Sequence, residues 1–94
     1  MKKFLVRSEK AGVFFGEIKE RIGNEVTMIN VRRIHKWSGA ASLSQLSLEG
    51  VKNPEECRFT MTVPEIVIFG VIEIIPCSKD AVNNINSVPV WKIE

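Results

Sequence analysis

The residues best suited to chemistry lie together in one short segment, RRIHKWSGAASLSQL, which spans residues 32–46. Cationic side chains open the segment, and such side chains can neutralise the charge of a phosphate. Trp37 follows them and offers a flat face on which a base can stack. The small residues of 38–42 would let an anion approach backbone N–H groups at the start of a helix. Together these are the parts of a phosphate or nucleotide site.

We therefore predict a set of ligand-binding residues in this segment, namely Arg32, Arg33, His35, Lys36, Trp37, Ser38, Gly39 and Ser42. The cations would neutralise phosphate, the serines and the glycine would donate hydrogen bonds, and the indole would stack or wall the pocket. Side chains alternate across a strand, which gives two groups on opposite faces: Arg33, His35 and Trp37 on one, Arg32 and Lys36 on the other. One subunit cannot bring both faces to one ligand, whereas a symmetric oligomer can.

The same segment also has a purely structural interpretation. Trp37 could lie in the core, Ser38 could be only a helix cap, and the arginines could be solvated. A further alternative makes residues 38–48 a seam between subunits, formed by Leu43, Leu46 and Leu48. The sequence leaves these interpretations open.

Catalysis is not indicated by any motif in the chain. His35 is the one histidine, and a general base of this kind needs an orienting carboxylate. The nearest carboxylates, Glu25 and Glu49, are placed by no motif. The segment SGAAS lacks the lysine of a phosphate-binding Walker loop and the pattern of a nucleophile elbow. We therefore expect a protein that is not an enzyme and has no cofactor, with hydrolysis through His35 as an alternative.

Composition limits the classes of partner. The chain has 94 residues and a net charge of +2, which predicts one domain over 1–94 and no broad footprint for duplex DNA. Cys57 and Cys77 form no CxxC pair, so we expect no structural metal site and two buried thiols.

Targeting signals are also missing from the sequence. No segment approaches about 18 apolar residues without a charge, so we expect no membrane span. The opening residues MKKFLVRSEKAG lack the apolar core of a signal peptide, because charges return at Arg7, Glu9 and Lys10. These features predict a cytoplasmic protein.

The first half of the chain must supply strands to position the basic segment. We predict strands over 3–7, 12–21 and 25–37, with a Gly23-Asn24 hairpin turn between the second and the third. This turn would place Arg21 opposite Val26 and Lys19 opposite Met28. Gly16 within a strand indicates a bulge, and the apolar residues of the third strand change face, which indicates another bulge or burial on both sides.

The second half mixes helices and strands. We predict a helix over 38–50, capped by Ser38 and ended by Gly50, with a structured loop as the alternative. Residues 57–63 alternate as a strand that Pro64 ends, and Gly70 divides 65–77 into a turn-like part and a strand over 71–75. Residues 78–88 would form a short helix capped by Ser78, followed by a tail that Trp91 pins to the body.

The fold class that follows is mainly β, or α+β. We expect a small curled antiparallel sheet or an SH3-like barrel of about five strands, with one or two short helices outside. The barrel is the first choice and an open α+β sheet is the second.

One family resemblance covers nearly the whole chain, from Phe4 to Lys92. It rests on LVR...AGVFFGEI, on RRI..WSGAASLSQL...GVK.PE.C.F, on EI......IEIIPC and on a late V..WK. These motifs resemble a family of small uncharacterised proteins encoded by tailed phages and prophages. The family motif usually has aromatic residues where this chain has His35 and Lys36, so its ligand could differ.

The resemblance implies a biological context. Some small phage proteins bind and hide nucleotide signals of bacterial immunity, usually as homo-oligomers with sites between subunits. By this analogy we expect a non-enzymatic homo-oligomer that sequesters a small phosphate-containing ligand, for example a cyclic nucleotide or a nucleotide sugar. The alternatives are an SH3-like module that binds single-stranded nucleic acid or a host or phage protein, and a hydrolase of such a signal.

Overall fold

The computed structural model describes residues 2–94. Six strands and two helices follow one another, with a short 3-10 turn at Pro54–Glu56 before the fourth strand. The strands are β1 (Phe4–Ser8), β2 (Gly12–Ile22), β3 (Glu25–Lys36), β4 (Arg58–Phe59), β5 (Val63–Ile68) and β6 (Val71–Pro76). The helices are α1 (Leu43–Glu49) and α2 (Lys79–Ser87).

The first three strands form the antiparallel meander that the sequence predicts. The turn at Gly23-Asn24 is confirmed, and Gly23 has the left-handed φ of +57° that this kind of turn requires. Arg21 pairs with Val26 as predicted, but Met28 pairs with Ile18 instead of Lys19. The pairing shifts by one residue because a bulge lies between Ile18 and Glu20.

Bulges near the middle of β2 and β3 bend both strands. A Cβ on Gly16 would lie 2.9 Å from the Cα of Val31, so only glycine allows the two backbones to approach this closely. Asn30 has a φ of +48°, which asparagine tolerates better than most residues. Its amide donates a hydrogen bond of 3.2 Å to a carboxylate oxygen of Glu17. The predicted bulges therefore exist, and they curl the sheet.

The buried carboxylate at this bend makes stability depend on pH. The hydrogen bond from Asn30, aided by Lys3 at 3.5 Å, holds the pKa of Glu17 below its ordinary value. A lowered pKa in the folded state gives stability above the unfolded pKa, about 4.3, that is lost as pH falls through the folded value. We expect the stability difference between the native protein and Glu17→Gln to be largest at pH 7 and to shrink in acid. Urea unfolding across pH measures it, with the exposed Glu20→Gln as the control.

The sheet curls but does not close into a barrel. Its strand order is β4-β3-β2-β1-β6, and β5 also pairs with β3. β5 and β6 are consecutive and separated by Phe69 and Gly70, yet they pair with different neighbours, β3 and β1. The prediction of a mainly β fold with a curled antiparallel sheet and two short helices is confirmed. The sheet has six strands instead of about five, and an open seam takes the place of the closed SH3-like barrel.

Each face of the sheet buries an apolar cluster. One cluster lies between the sheet and the helices and includes Phe15, Ile34, Phe59, Leu46 and Ile85. The other lies on the opposite face and comprises Val6, Phe14, Val26, Met28, Val31, Ile68 and Val71. Because successive side chains of a strand point to opposite faces, the adjacent Phe14 and Phe15 belong to different clusters.

The helix predicted over 38–50 begins five residues later in the structure, at residue 43. α1 begins at Leu43, and the cap is Ser42, whose hydroxyl accepts from the N–H of Gln45. The predicted end at Gly50 is correct, since its N–H bonds to the carbonyl of Leu46. The second predicted helix is confirmed as α2, with Ser78 accepting from the N–H of Ala81.

The strand predicted over 57–63 ends at Phe59 in the structure, so the prediction is wrong for residues 60–62. The carbonyls of Phe59 and Thr60 both accept from the guanidinium of Arg32, whereas consecutive carbonyls of a strand point in opposite directions. The chain therefore leaves the strand conformation at Thr60. The strand conformation resumes at Val63, where β5 begins, and β5 contains Pro64. The predictions that Pro64 ends a strand and that the next part is turn-like are therefore wrong. Among residues 2–94, β5 has a strand partner on one side only, a position that tolerates proline.

The two cysteines differ in burial. Both cysteines are free thiols; Cys57 is buried and Cys77 is half-buried. Burial raises the pKa of the Cys77 thiol to about 11. Within residues 2–94 no helix is both long enough and apolar enough to span a bilayer.

Candidate functional site

Arg32 is buried, and its guanidinium forms hydrogen bonds inside the protein. Its side chain is 4% exposed and lies on the helix side of the sheet, on the same face as Ile34. The guanidinium donates to four carbonyls, those of Phe59, Thr60, Ile85 and Val88, at 2.9–3.3 Å. Burial lowers the pKa of Arg32 from its ordinary value. These bonds connect β3 to β4 and to the end of α2, and the buried guanidinium is not placed to contact a ligand.

His35 and Lys36 lie at the end of β3, where the C-terminal tail covers part of the strand. The ring of His35 stacks on Trp91, with centroids 5.2 Å apart and planes 9° apart. The guanidinium carbon of Arg58 lies 5.4 Å from the centroid of the Trp91 ring. Lys36 is exposed and pairs with Arg58 across the strands. We call His35, Lys36, Arg58 and Trp91 the basic-aromatic patch.

The segment from Trp37 to Ser42 uses its polar groups within the fold. The indole N–H of Trp37 donates to the carbonyl of Ala40, and the ring packs against the apolar cluster between the sheet and the helices. The backbone N–H of Ser38 donates to the sulfur of Cys57, and its hydroxyl accepts from Asn53. The N–H of Ala41 donates to the side chain of Gln45. The indole of Trp37 and the N–H groups of Ser38 and Ala41 are therefore occupied by internal partners.

Arg33 is the predicted residue that the structure places in a cleft. Its side chain is exposed, and the guanidinium carbon lies 4.8 Å from the centroid of the buried Phe14 ring. A guanidinium over an aromatic face is attracted by the ring and keeps its N–H groups free to donate. The backbone N–H of Arg33 donates to the hydroxyl of Thr60 at 2.8 Å, which fixes the strand below the side chain.

The cleft lies between β5 and the turn that joins β1 to β2, and has a volume of about 420 Å³. It is lined by Glu9, Lys10, Ala11, Phe14, Arg33 and the five residues 66–70. Aliphatic and aromatic side chains form most of the wall, and Arg33 and Lys10 supply two positive charges. Within residues 2–94 neither cation forms a salt bridge. The cleft therefore combines an apolar surface with charge that an anion could neutralise.

Two hydrogen bonds hold the two walls of the cleft together. The hydroxyl of Ser8, a residue only 4% exposed, donates to the carbonyl of Phe69 at 2.7 Å and accepts from the N–H of Ala11 at 3.2 Å. The N–H of Glu9 donates to the carbonyl of Gly70 at 3.1 Å. The turn before β2 and the turn before β6 are thus tied together, so the cleft is already formed without a ligand.

The structure therefore separates the eight predicted residues. Arg33 lines the cleft; Arg32 lies in the interior; the other six lie in the basic-aromatic patch or in the loop before α1. The sequence analysis missed Lys10 and Phe69, which lie in turns. The contact that unites these turns joins residues 61 positions apart in the chain, and no local pattern marks it.

Comparison with known proteins gives one family and no individual relative. Neither the curated proteins nor the solved structures contain a match to the chain. One family model matches residues 1–85, so it covers every strand and most of α2 but not the tail that carries Trp91. The chain belongs to the family described as Domain of unknown function (DUF6948).

Proposed function

We propose that this protein binds and sequesters a small phosphate-containing ligand of the nucleotide type, without catalysing a reaction on it. The observation that carries the proposal is Arg33, whose guanidinium carbon lies 4.8 Å from the centroid of the Phe14 ring, in a cleft of about 420 Å³ that also contains Lys10. Small-ligand pockets usually measure about 300–1,000 Å³ and combine apolar walls with a few polar groups. A charge-assisted bond from a preorganised guanidinium is the strongest phosphate contact that a side chain offers.

The proposed context is a phage or prophage protein that acts in the cytoplasm of an infected bacterium. Its ligand would be a nucleotide signal of bacterial immunity, and its binding would keep that signal from a host receptor. The resemblance of the sequence motifs to phage-encoded proteins supports this context. The cleft supports the proposed binding of phosphate, and the resemblance supports the proposed phage context.

Replacing Arg33 tests the site. We expect Arg33→Gln to weaken nucleotide binding by about 10- to 100-fold, the effect of losing one charge-assisted bond, and Lys10→Gln to weaken it less. Lys36→Gln is the matched control, because Lys36 is exposed on the same strand but lies outside the cleft. Isothermal titration calorimetry with nucleoside monophosphates gives the affinities, and chromatography of the recovered ligand checks that it is unchanged. Binding that survives the loss of both cations would refute the site, and turnover would refute sequestration.

We also propose that the working form is a homo-oligomer. The exposed apolar side chains of Ile22, Leu48 and Ile72, each more than half exposed, are surfaces that a second copy could cover. Native mass spectrometry of the purified protein measures the oligomer mass and any bound ligand together. A monomer at micromolar concentration, with or without nucleotide, would refute this part of the proposal.

A second candidate function is binding of single-stranded nucleic acid at the basic-aromatic patch. Trp91, stacked on His35 and next to Arg58, is 46% exposed, and aromatic rings beside cations are typical of such surfaces. Binding of an oligonucleotide would weaken steeply with salt. Arg58→Gln would weaken oligonucleotide binding and leave mononucleotide binding unchanged, whereas Arg33→Gln would do the reverse if the first proposal holds.

A further inference from the structure

We infer that β5 and Phe69 form a base-recognition subsite, so that the cleft takes one nucleoside monophosphate with its phosphate at Arg33 and its base against Phe69. This inference rests on the proposed function and specifies the ligand class for the same cleft. A binder of bare phosphate would need only the two cations. The rest of the cleft wall points to a ligand with a flat aromatic ring.

The composition of the wall is the first argument. Beyond Arg33 and Lys10 the cleft is bounded mainly by apolar side chains, namely Phe14, Ile66, Val67, Ile68 and Phe69. Of these, Ile66, Val67 and Phe69 are at least partly exposed, and phosphate alone would leave their surface in contact with water, which contributes nothing to affinity. A ligand that carries a ring covers it. The volume of about 420 Å³ lies in the lower half of the range for ligand pockets and suits one nucleotide better than two joined nucleotides.

Phe69 is the second argument, because its ring is exposed while its backbone is held. The side chain is 66% exposed, an unusual position for phenylalanine. Its carbonyl accepts the bond from Ser8, and the following Gly70 has the φ of +68° that completes the turn. A ring on a fixed backbone at the rim of a cleft is a stacking platform, and stacking on a base does not depend on which base is present.

The free edge of β5 is the third argument. In residues 2–94, β5 pairs with β3 and with no strand on its other side. In an antiparallel strand alternate residues turn their N–H and C=O groups away from the paired neighbour. The cleft runs along residues 66–68 of this strand. Hydrogen-bond donors and acceptors on the edge of a base can satisfy such groups, and the carboxylate of Glu9 can accept from an amino group or a ribose hydroxyl.

The test compares ligands with and without a base. The four ribonucleoside 5′-monophosphates and ribose 5-phosphate are titrated into the protein, and amide chemical shifts are followed by NMR. We expect at least one monophosphate to bind about tenfold or more tightly than ribose 5-phosphate, in keeping with the contribution of base stacking. We also expect the amides of residues 66–69 to shift with the nucleotide and not with the sugar phosphate.

Variants of the exposed ring assign the preference to the proposed subsite. Phe69→Ala should remove most of the preference for the nucleotide and leave ribose 5-phosphate binding unchanged, while Phe69→Trp should retain the preference. Ile93→Ala is the matched control, because Ile93 is a fully exposed apolar residue of the C-terminal tail and does not line the cleft. Equal binding of sugar phosphate and nucleotides, or a preference that survives Phe69→Ala, would overturn the subsite and leave the phosphate site standing. Absence of binding by every probe would overturn the proposed function itself.

Discussion

Replacing Arg32 with methionine is expected to lower the free energy of unfolding by about 3 kcal/mol or more. Methionine keeps much of the apolar stem and removes only the guanidinium. The carbonyls of Thr60 and Val88 would then lose their donor, whereas those of Phe59 and Ile85 would keep one backbone N–H each. Two of them, those of Ile85 and Val88, belong to the C-terminal end of α2, where a positive charge also stabilises the helix dipole.

Arg33→Met is the matched control for this experiment. Arg33 is the next residue and has the same side chain, but it is exposed, so its loss should cost less than about 1 kcal/mol. Arg32→Lys should fall between the two, because a single ammonium group cannot reach four carbonyls in different directions. Urea unfolding followed by tryptophan fluorescence measures all three. Equal midpoints for Arg32→Met and Arg33→Met would show that the buried guanidinium contributes no net stability.

Replacing Gly39 with alanine is expected to cost about 3 kcal/mol, for two separate reasons. Gly39 has a φ of +94°, a conformation that residues with a Cβ rarely adopt. A Cβ at this position would also clash with the backbone nitrogens of Lys52 and Asn53. Both obstacles are backbone atoms, so the loop before α1 would have to move away from the segment that follows the helix.

Gly12→Ala separates the two contributions. Gly12 has a similar φ of +101°, but a Cβ there would meet nothing within 4 Å. It should therefore cost only the backbone strain, about 1 kcal/mol. Thermal unfolding of both variants gives the difference, which is the cost of the close contact. A similar loss in both variants would mean that the loop adjusts freely and that the contact does not constrain it.

Local patterns predicted those parts of the fold that depend on neighbouring residues. The turn at Gly23-Asn24 and the cap at Ser78 were predictable, because a few residues decide a turn or a helix start. The start of α1 was not predictable from neighbouring residues. Ser38 and Ser42 have the same capping chemistry, and the close packing of Gly39 on residues 52–53, which favours Ser42, is a tertiary contact.

The candidate site was harder to predict because charge is an ambiguous signal. Arg32 and Arg33 are adjacent and identical in sequence terms, yet one is buried and the other lines the cleft. One signal did exist: Arg32 alternates with Ile34, which places it on the face that packs against the helices. Lys10 and Phe69 carried no such signal, since their proximity depends on how far the sheet curls.

The carbonyls that receive Arg32 also constrain when the chain can fold during synthesis. The ribosome releases β1, β2 and β3 first, but the acceptors of Arg32 lie at residues 59, 60, 85 and 88, and Phe4 of β1 pairs with Pro76 of β6. A nascent chain that ends before residue 88 therefore carries an arginine without all of its acceptors. Until the last helix emerges, the apolar face that it covers is open to water, and to any chaperone near the exit tunnel.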